Sequence, residues 1–188
     1  MGIKGKIKNA VVYNLCRSYI LAKWINILSL KQTYKKNESG VVIFQMGKVG
    51  SSSIYESLKA AQLEIPIYHA HVLTSDRLKA TEELARTHWQ PCRNPIHLWH
   101  SFILSDELRK RHQQKWKVIT LVRDPIARNV SAFFETLHLL EKSNQQKLMT
   151  SNDGQDLTQL FLSKFYAHDA PINWFDDELK PVFEIDVF

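Results

Sequence analysis

The sequence predicts an α/β fold, three-layered, with a central parallel sheet and a P-loop-like phosphate-binding turn, and three observations carry that prediction. A β-branched run at residues 41–45 passes through a glycine turn into helix-forming residues. Apolar runs at residues 65–73 and 117–122 (KVITLV) are each followed by a capped helical stretch. Strands alternating with helices imply parallel pairing with helices on both faces, because a parallel pair needs a long crossover.

The elements follow in order. Residues 41–45 lie between Gly40 and Gly47, as suits a short strand buried on both sides. Residues 52–62 place Ile54, Leu58 and Ala61 on one face of a helix. Residues 65–73 read as the second strand, which Pro66 permits only near its start. Thr74 or Ser75 caps a helix reaching about residue 88. Residues 89–103, with Pro91 and Pro95, read as irregular, and Ser105 as the cap of a helix through Gln113. The third strand, 117–122, is stopped by Asp124 and Pro125. The helix after it, 126–141, spaces Val130, Phe133, Phe134, Leu137 and Leu140 for burial. A polar linker, KKNESG at 35–40, divides a basic arm (1–40) from the α/β domain (41–188). The chain ends on an apolar alternating run, so the expectation is either a terminus tucked into the core or a domain that continues past Phe188.

At 188 residues, 44% hydrophobic and 23% charged, the chain suits one globular core. Two cysteines, Cys16 and Cys92, argue against a disulfide framework and for a reducing, cytoplasmic compartment. The net charge of +6 is unevenly spread. Residues 1–37 hold Lys4, Lys6, Lys8, Arg17, Lys23, Lys31, Lys35 and Lys36 with no acid, so the remaining 17 basic and 19 acidic residues make −2. A nearly neutral domain does not call for a nucleic-acid partner.

Within the arm, Tyr13, Cys16, Ile20, Trp24 and Ile27 recur at three- and four-residue steps, the apolar stripe of a helix. Two readings stand: a peripheral contact of residues 1–37 with an anionic membrane, and a helix packed on its own domain. Arg17 and Lys23 interrupt the run, so neither a spanning helix nor a signal peptide is expected.

The residues suited to chemistry begin with GKVGSSS, residues 47–53. After a strand and before a helix, glycines let backbone N–H groups converge where the helix dipole also favours an anion. Gly47, Val49 and Gly50 would shape that cradle, Ser51, Ser52 and Ser53 would donate hydroxyls, and Lys48 would reach the bound anion. The alternative is a tight turn with a solvated lysine. Lysine precedes the second glycine here, whereas the nucleoside-triphosphatase loop places it after. The second stretch is VRDPIARNVSAFF, residues 122–134. Arg123 at a strand end and Ser131 inside the next helix could grip one phosphate. In a simpler reading Asp124 caps the helix, Pro125 takes its first position and Arg128 is a surface charge.

Together the two stretches resemble the sulfotransferases that use 3′-phosphoadenosine 5′-phosphosulfate (PAPS), most closely bacterial proteins described as putative capsular polysaccharide synthesis proteins, which share the ending NWFDDELKPVFEIDVF. The resemblance covers about residues 41–188 and is strongest at the two motifs, where Arg123, Asp124, Pro125, Arg128, Ser131 and Phe133 match R-D-P-x-x-R-x-x-S-x-F. It implies that residues 47–53 bind the 5′-phosphosulfate and that Arg123 and Ser131 bind the 3′-phosphate. It further implies sulfuryl transfer to a carbohydrate or other hydroxyl, with Lys48 stabilising the leaving oxygen and no metal. A later glycine-bearing basic loop over the adenosine, usual in such enzymes, has no counterpart after Gly50 apart from Gly154.

The acceptor hydroxyl needs a base. His69 and His71 in YHAHV point to one side of a strand. By the resemblance one of them is the base, with His71, nearer the strand's end, the first choice and Glu56 a rival; two structural histidines are the alternative. His97, His100 and His112 give no metal-ligand spacing with Cys92. Two other functions fit parts of the sequence: a P-loop kinase or nucleotide-binding protein, from the turn, and a non-catalytic membrane-associated anion-binding module, from the basic arm.

Overall fold

The computed structural model describes residues 18–33, 40–90, 94–110, 115–137, 154–164 and 168–187. The strands are β1 (Gly40–Phe44), β2 (Ile67–Ala70) and β3 (Trp116–Ile119), in a small parallel sheet ordered β2-β1-β3. The helices are α1 (Tyr19–Thr33), α2 (Ser51–Ala60), α3 (Ser75–Thr87), α4 (Ile96–Lys110), α5 (Pro125–Thr136), α6 (Gly154–Lys164), α7 (Ala170–Trp174) and α8 (Lys180–Phe183), with a π-helical turn, Phe175–Leu179, between the last two. Two units form: Met1–Phe44 with Ser52–Thr120, and Gln45–Ser51 with Leu121–Phe188.

In the first unit every residue of β1 and β2 is buried, as the β-branched run in β1 requires. Ile43 and Ile67 meet Tyr55, Ile54 and Leu58 of α2. Gly40, read from sequence as the end of a linker, is the first strand residue, paired with Trp116. A Cβ there would come within 3.0 Å of the Trp116 ring and 3.2 Å of the Pro66 carbonyl. Glycine is what allows β1 to start between them.

Beside the sheet, α4 packs on β2, and α1 and α3 pack on α4. Their shared core is aromatic: the Tyr19 ring lies 5.4 Å from that of Trp89 and 5.7 Å from that of Trp99, with Leu78 and Leu98 filling the remainder. Lys23 of α1 pairs with Glu82 of α3 while its ammonium lies 3.9 Å above the Phe102 ring. The same Glu82 accepts from the Tyr19 hydroxyl.

Several expectations need correction. Residues 89–103 are not irregular throughout: α4 begins at Ile96, where the Pro95 carbonyl accepts from the Leu98 and Trp99 amides, so Ser105 lies inside a helix rather than at its cap. Burial of Leu98, Trp99, Ile103 and Leu104 outweighs the breaking signal of the prolines. β3 stops at Ile119, because β1 ends one residue past the partner of Ile119 and offers no backbone further on. Arg123 therefore lies in the connection after the strand. In α1 the buried positions include Tyr19, Ala22 and Ile27, whereas Ile20 and Trp24 are exposed; Tyr13 and Cys16 are outside the described residues. Cys92, His112 and residues 138–141 are outside them too.

In the second unit Asp124 caps α5, accepting from the Ala127 amide at 2.8 Å, with Pro125 at the first helical position. α5 buries Ala132 and Phe133 against Leu157, Leu160 and Phe161 of α6, while Val130 and Phe134, expected in the core, are exposed. Trp174, Phe175 and Leu179 are buried, and residues 184–187 are exposed rather than tucked away. Among the described residues no helix is long and apolar enough to cross a membrane.

Gly40→Ala should lower the unfolding free energy by about 1–3 kcal/mol, since the new Cβ meets a backbone carbonyl that cannot rotate away. Urea denaturation of the full chain measures this, and an unchanged midpoint would show that the start of β1 relaxes freely.

Candidate functional site

Past β1 the chain turns through residues 47–50 into α2, whose first residue, Ser51, is buried. Two turn residues have left-handed backbone angles: Lys48 with φ 75° and Gly50 with φ 91°. Glycine adopts this freely, but lysine bears a steric cost of about 1–2 kcal/mol and holds the shape only where its surroundings impose it. Gly47 is different. Its φ is not left-handed, and a Cβ there would meet no atom within 4 Å. The turn as folded thus uses Lys48, not Gly47, as the partner of Gly50. Ser52 and Ser53 are exposed on the first turn of α2, as is Glu56 one turn later.

Arginines far along the chain fix this turn. Arg123 donates from Nη1 to the Lys48 carbonyl at 3.1 Å, and Arg128 from Nε to the Gly47 carbonyl at 3.1 Å. Two consecutive carbonyls are thereby held by guanidinium groups. Arg128 is buried, which overturns its reading as a surface charge. Its Nη1 donates to Asn129 Oδ1 at 2.9 Å, and Asn129 in turn donates to the His168 carbonyl at 3.1 Å. Sequence reading gave Arg128 no binding role; the signal was its place in the arginine motif, five residues after Arg123. The Lys48 ammonium stands 3.6 Å from the Glu135 carboxylate, both groups partly exposed. Ser131 is half-buried on α5, and among the described residues no hydrogen bond joins it to Arg123.

A histidine cluster belongs to the first unit. His69 in β2 and His71 just past its end have ring centroids 4.8 Å apart. His97 of α4 lies 4.8 Å from His71 and 6.4 Å from His69. Reading residues 89–103 as irregular hid His97, because its approach depends on the first turn of α4. Among the described residues no group of three or more His, Cys, Asp or Glu side chains is arranged to hold a metal.

Behind them, His100 Nδ1 accepts the His69 backbone N–H at 3.0 Å. Accepting there requires a bare Nδ1, so His100 carries its proton on Nε2. α4 in this way closes a hydrogen bond on the open edge of β2. Tyr55 stacks on His69 at 5.5 Å and meets His100 edge-on at 5.6 Å. Burial, with His71 and His100 nearby, pushes His69 down to about 3. Burial pushes His100 down to about 4. Both are neutral at physiological pH.

No protein-family profile, curated protein or solved structure matches the chain.

Arg128→Met should cost about 2–3 kcal/mol, since it removes charge-assisted bonds to Gly47 and Asn129 and leaves buried acceptors behind; chemical denaturation measures this, and a change below the error of the method would mean that water replaces the guanidinium. The histidines predict a pH dependence. Both have a folded pKa below the ordinary 6.5, so in that interval the unfolded chain binds protons that the folded one refuses. Stability contributed by their neutrality is whole above 6.5 and declines as pH falls from there toward about 4 for His100 and about 3 for His69. The slope approaches about 1.4 kcal/mol per histidine per pH unit. Urea midpoints across this range test it, and His100→Asn, which keeps an acceptor without the titration, should remove about half the slope.

Proposed function

We propose that the protein is a PAPS-dependent sulfotransferase acting on a hydroxyl of a carbohydrate, with a three-layer α/β architecture and residues 47–53 serving as its P-loop-like phosphosulfate-binding turn. The observation that carries this reading is that Arg123 and Arg128, from one motif, hold the carbonyls of Lys48 and Gly47, in the other. Residues 47–51 of the first motif and the arginine motif lie in one unit.

The residues suit the group chemically. With two carbonyls turned toward arginines, the N–H groups of the turn and the hydroxyls of Ser51, Ser52 and Ser53 serve an anion. The open space at Gly47 leaves room for its oxygens. Arg123 and Ser131 bind the 3′-phosphate and so separate PAPS from ordinary nucleotides; the Arg123 bond to Lys48 uses one Nη and leaves other donors of its fork. The acceptor oxygen attacks sulfur while its proton passes to a histidine, and the bond from sulfur to the bridging phosphate oxygen breaks. Lys48 stabilises the charge left on that oxygen. Its exposed pairing with Glu135 is weak, about 0–1 kcal/mol, and yields to an anion. His71 is the proposed base: it is partly exposed, whereas His69 is buried and, at about 3, too weak. Two cysteines in the chain are in keeping with a cytoplasmic enzyme.

A thermal-shift comparison on the full chain tests this. Adenosine 3′,5′-bisphosphate should raise the melting temperature more than ADP or magnesium-ATP, because a ligand of the native state alone stabilises it. Gly47→Ala should fold normally and lose the shift, and Arg123→Ala should lose the preference for a 3′-phosphate. With an accepted sugar, Lys48→Ala should lower kcat by about a hundredfold or more and His71→Ala by a similar factor. Unchanged bisphosphate binding by Arg123→Ala would remove the 3′-phosphate role, and a larger shift with magnesium-ATP would favour a kinase.

A further inference from the structure

Helix α1 is apolar on two sides. One side, with Tyr19, Ala22 and Ile27, is buried. The opposite side carries Ile20, Leu21, Trp24, Ile25 and Leu28, which are between 38% and 61% exposed. At 100° per residue these five occupy one continuous arc, and Ile20 to Leu28 spans about 12 Å along the axis. Five large apolar side chains on one exposed arc form a patch rather than scattered surface residues.

Charge decides what covers it. The eight basic residues of positions 1–37 have no acid among them. Lys23 and Lys31 pair with Glu82 and Asp106, and in the sequence Lys4, Lys6, Lys8, Arg17, Lys35 and Lys36 flank the patch. A second copy seated face to face would bring two segments of the same positive sequence charge together and be repelled. An anionic lipid surface attracts the same charges, accepts the aliphatic side chains, and favours tryptophan at its headgroup boundary. The helix has fifteen residues, too short to span the bilayer but suited to lying on it.

We propose that the Ile20, Leu21, Trp24, Ile25 and Leu28 face of α1 docks the protein on an anionic membrane, with the helix parallel to the surface. This is independent of what the glycine turn binds. It assigns the buried and the lipid-facing sides of one helix to different residues, so both readings of the arm hold at once.

Vesicle co-sedimentation of the full chain tests it. Wild type should pellet with phosphatidylcholine vesicles containing about a quarter phosphatidylglycerol, much less with phosphatidylcholine alone, and less as salt is raised. Trp24→Gln with Leu28→Gln should weaken binding at least about tenfold, with an unchanged melting temperature because both side chains are exposed in the fold. Failure of wild type to bind anionic vesicles, or equal binding by the double variant, would overturn the proposal. So would a wild-type dimer that the double variant dissolves without any vesicle binding, which would assign the face to a second copy.

Discussion

Two guanidinium groups hold two consecutive backbone carbonyls, and the shape of the turn between β1 and α2 depends on them. A lysine with φ 75° does not stay there by its own preference. It stays because the carbonyl before it is bound by Arg128 and its own by Arg123. Arg128 is fixed in turn by Asn129, and Asn129 by the His168 carbonyl, so the turn is anchored to the segment just before α7. A short glycine loop alone would have many conformations; this one is tied to a folded unit by side chains about eighty residues away.

The first unit solves a different problem. Among the described residues its sheet has three strands, and β2 is an edge. An imidazole from α4 accepts an edge amide, while Tyr19 of α1, Trp99 of α4, Leu78 of α3 and Trp89 just past α3 supply the apolar burial that so small a sheet does not. The histidine that closes the edge is bonded to His69 of β2, and the burial that completes the fold keeps both of these imidazoles neutral.

Strand positions, parallel pairing and the cap at Asp124 were legible because β-branched runs, glycine turns and an Asp-Pro pair are local signals. What could not be read was long-range. Ile96 starts a helix within a proline-bearing stretch only because Trp99 and Leu98 find an aromatic core elsewhere in the chain. Arg128 looks like a surface charge on a helical wheel; its place in the arginine motif marks it, but not that its partner is a carbonyl 81 positions earlier. In α1 the apolar spacing joins Ile20 and Trp24 to Ile27 in one stripe, whereas the helix buries Tyr19, Ala22 and Ile27, the side on which Lys23 meets Glu82 and Phe102.

The contact between Lys48 and Glu135 has a consequence for how an anion would be felt by this protein. The ammonium already has a carboxylate beside it, so a ligand exchanges one negative neighbour for another rather than filling a bare positive site. Dissolved salt screens the departing interaction as well as the arriving one. The ionic-strength dependence of such an exchange would therefore be shallower than the number of basic groups around the turn suggests, and selectivity would rest on the directional donors of the arginine and the backbone more than on net charge.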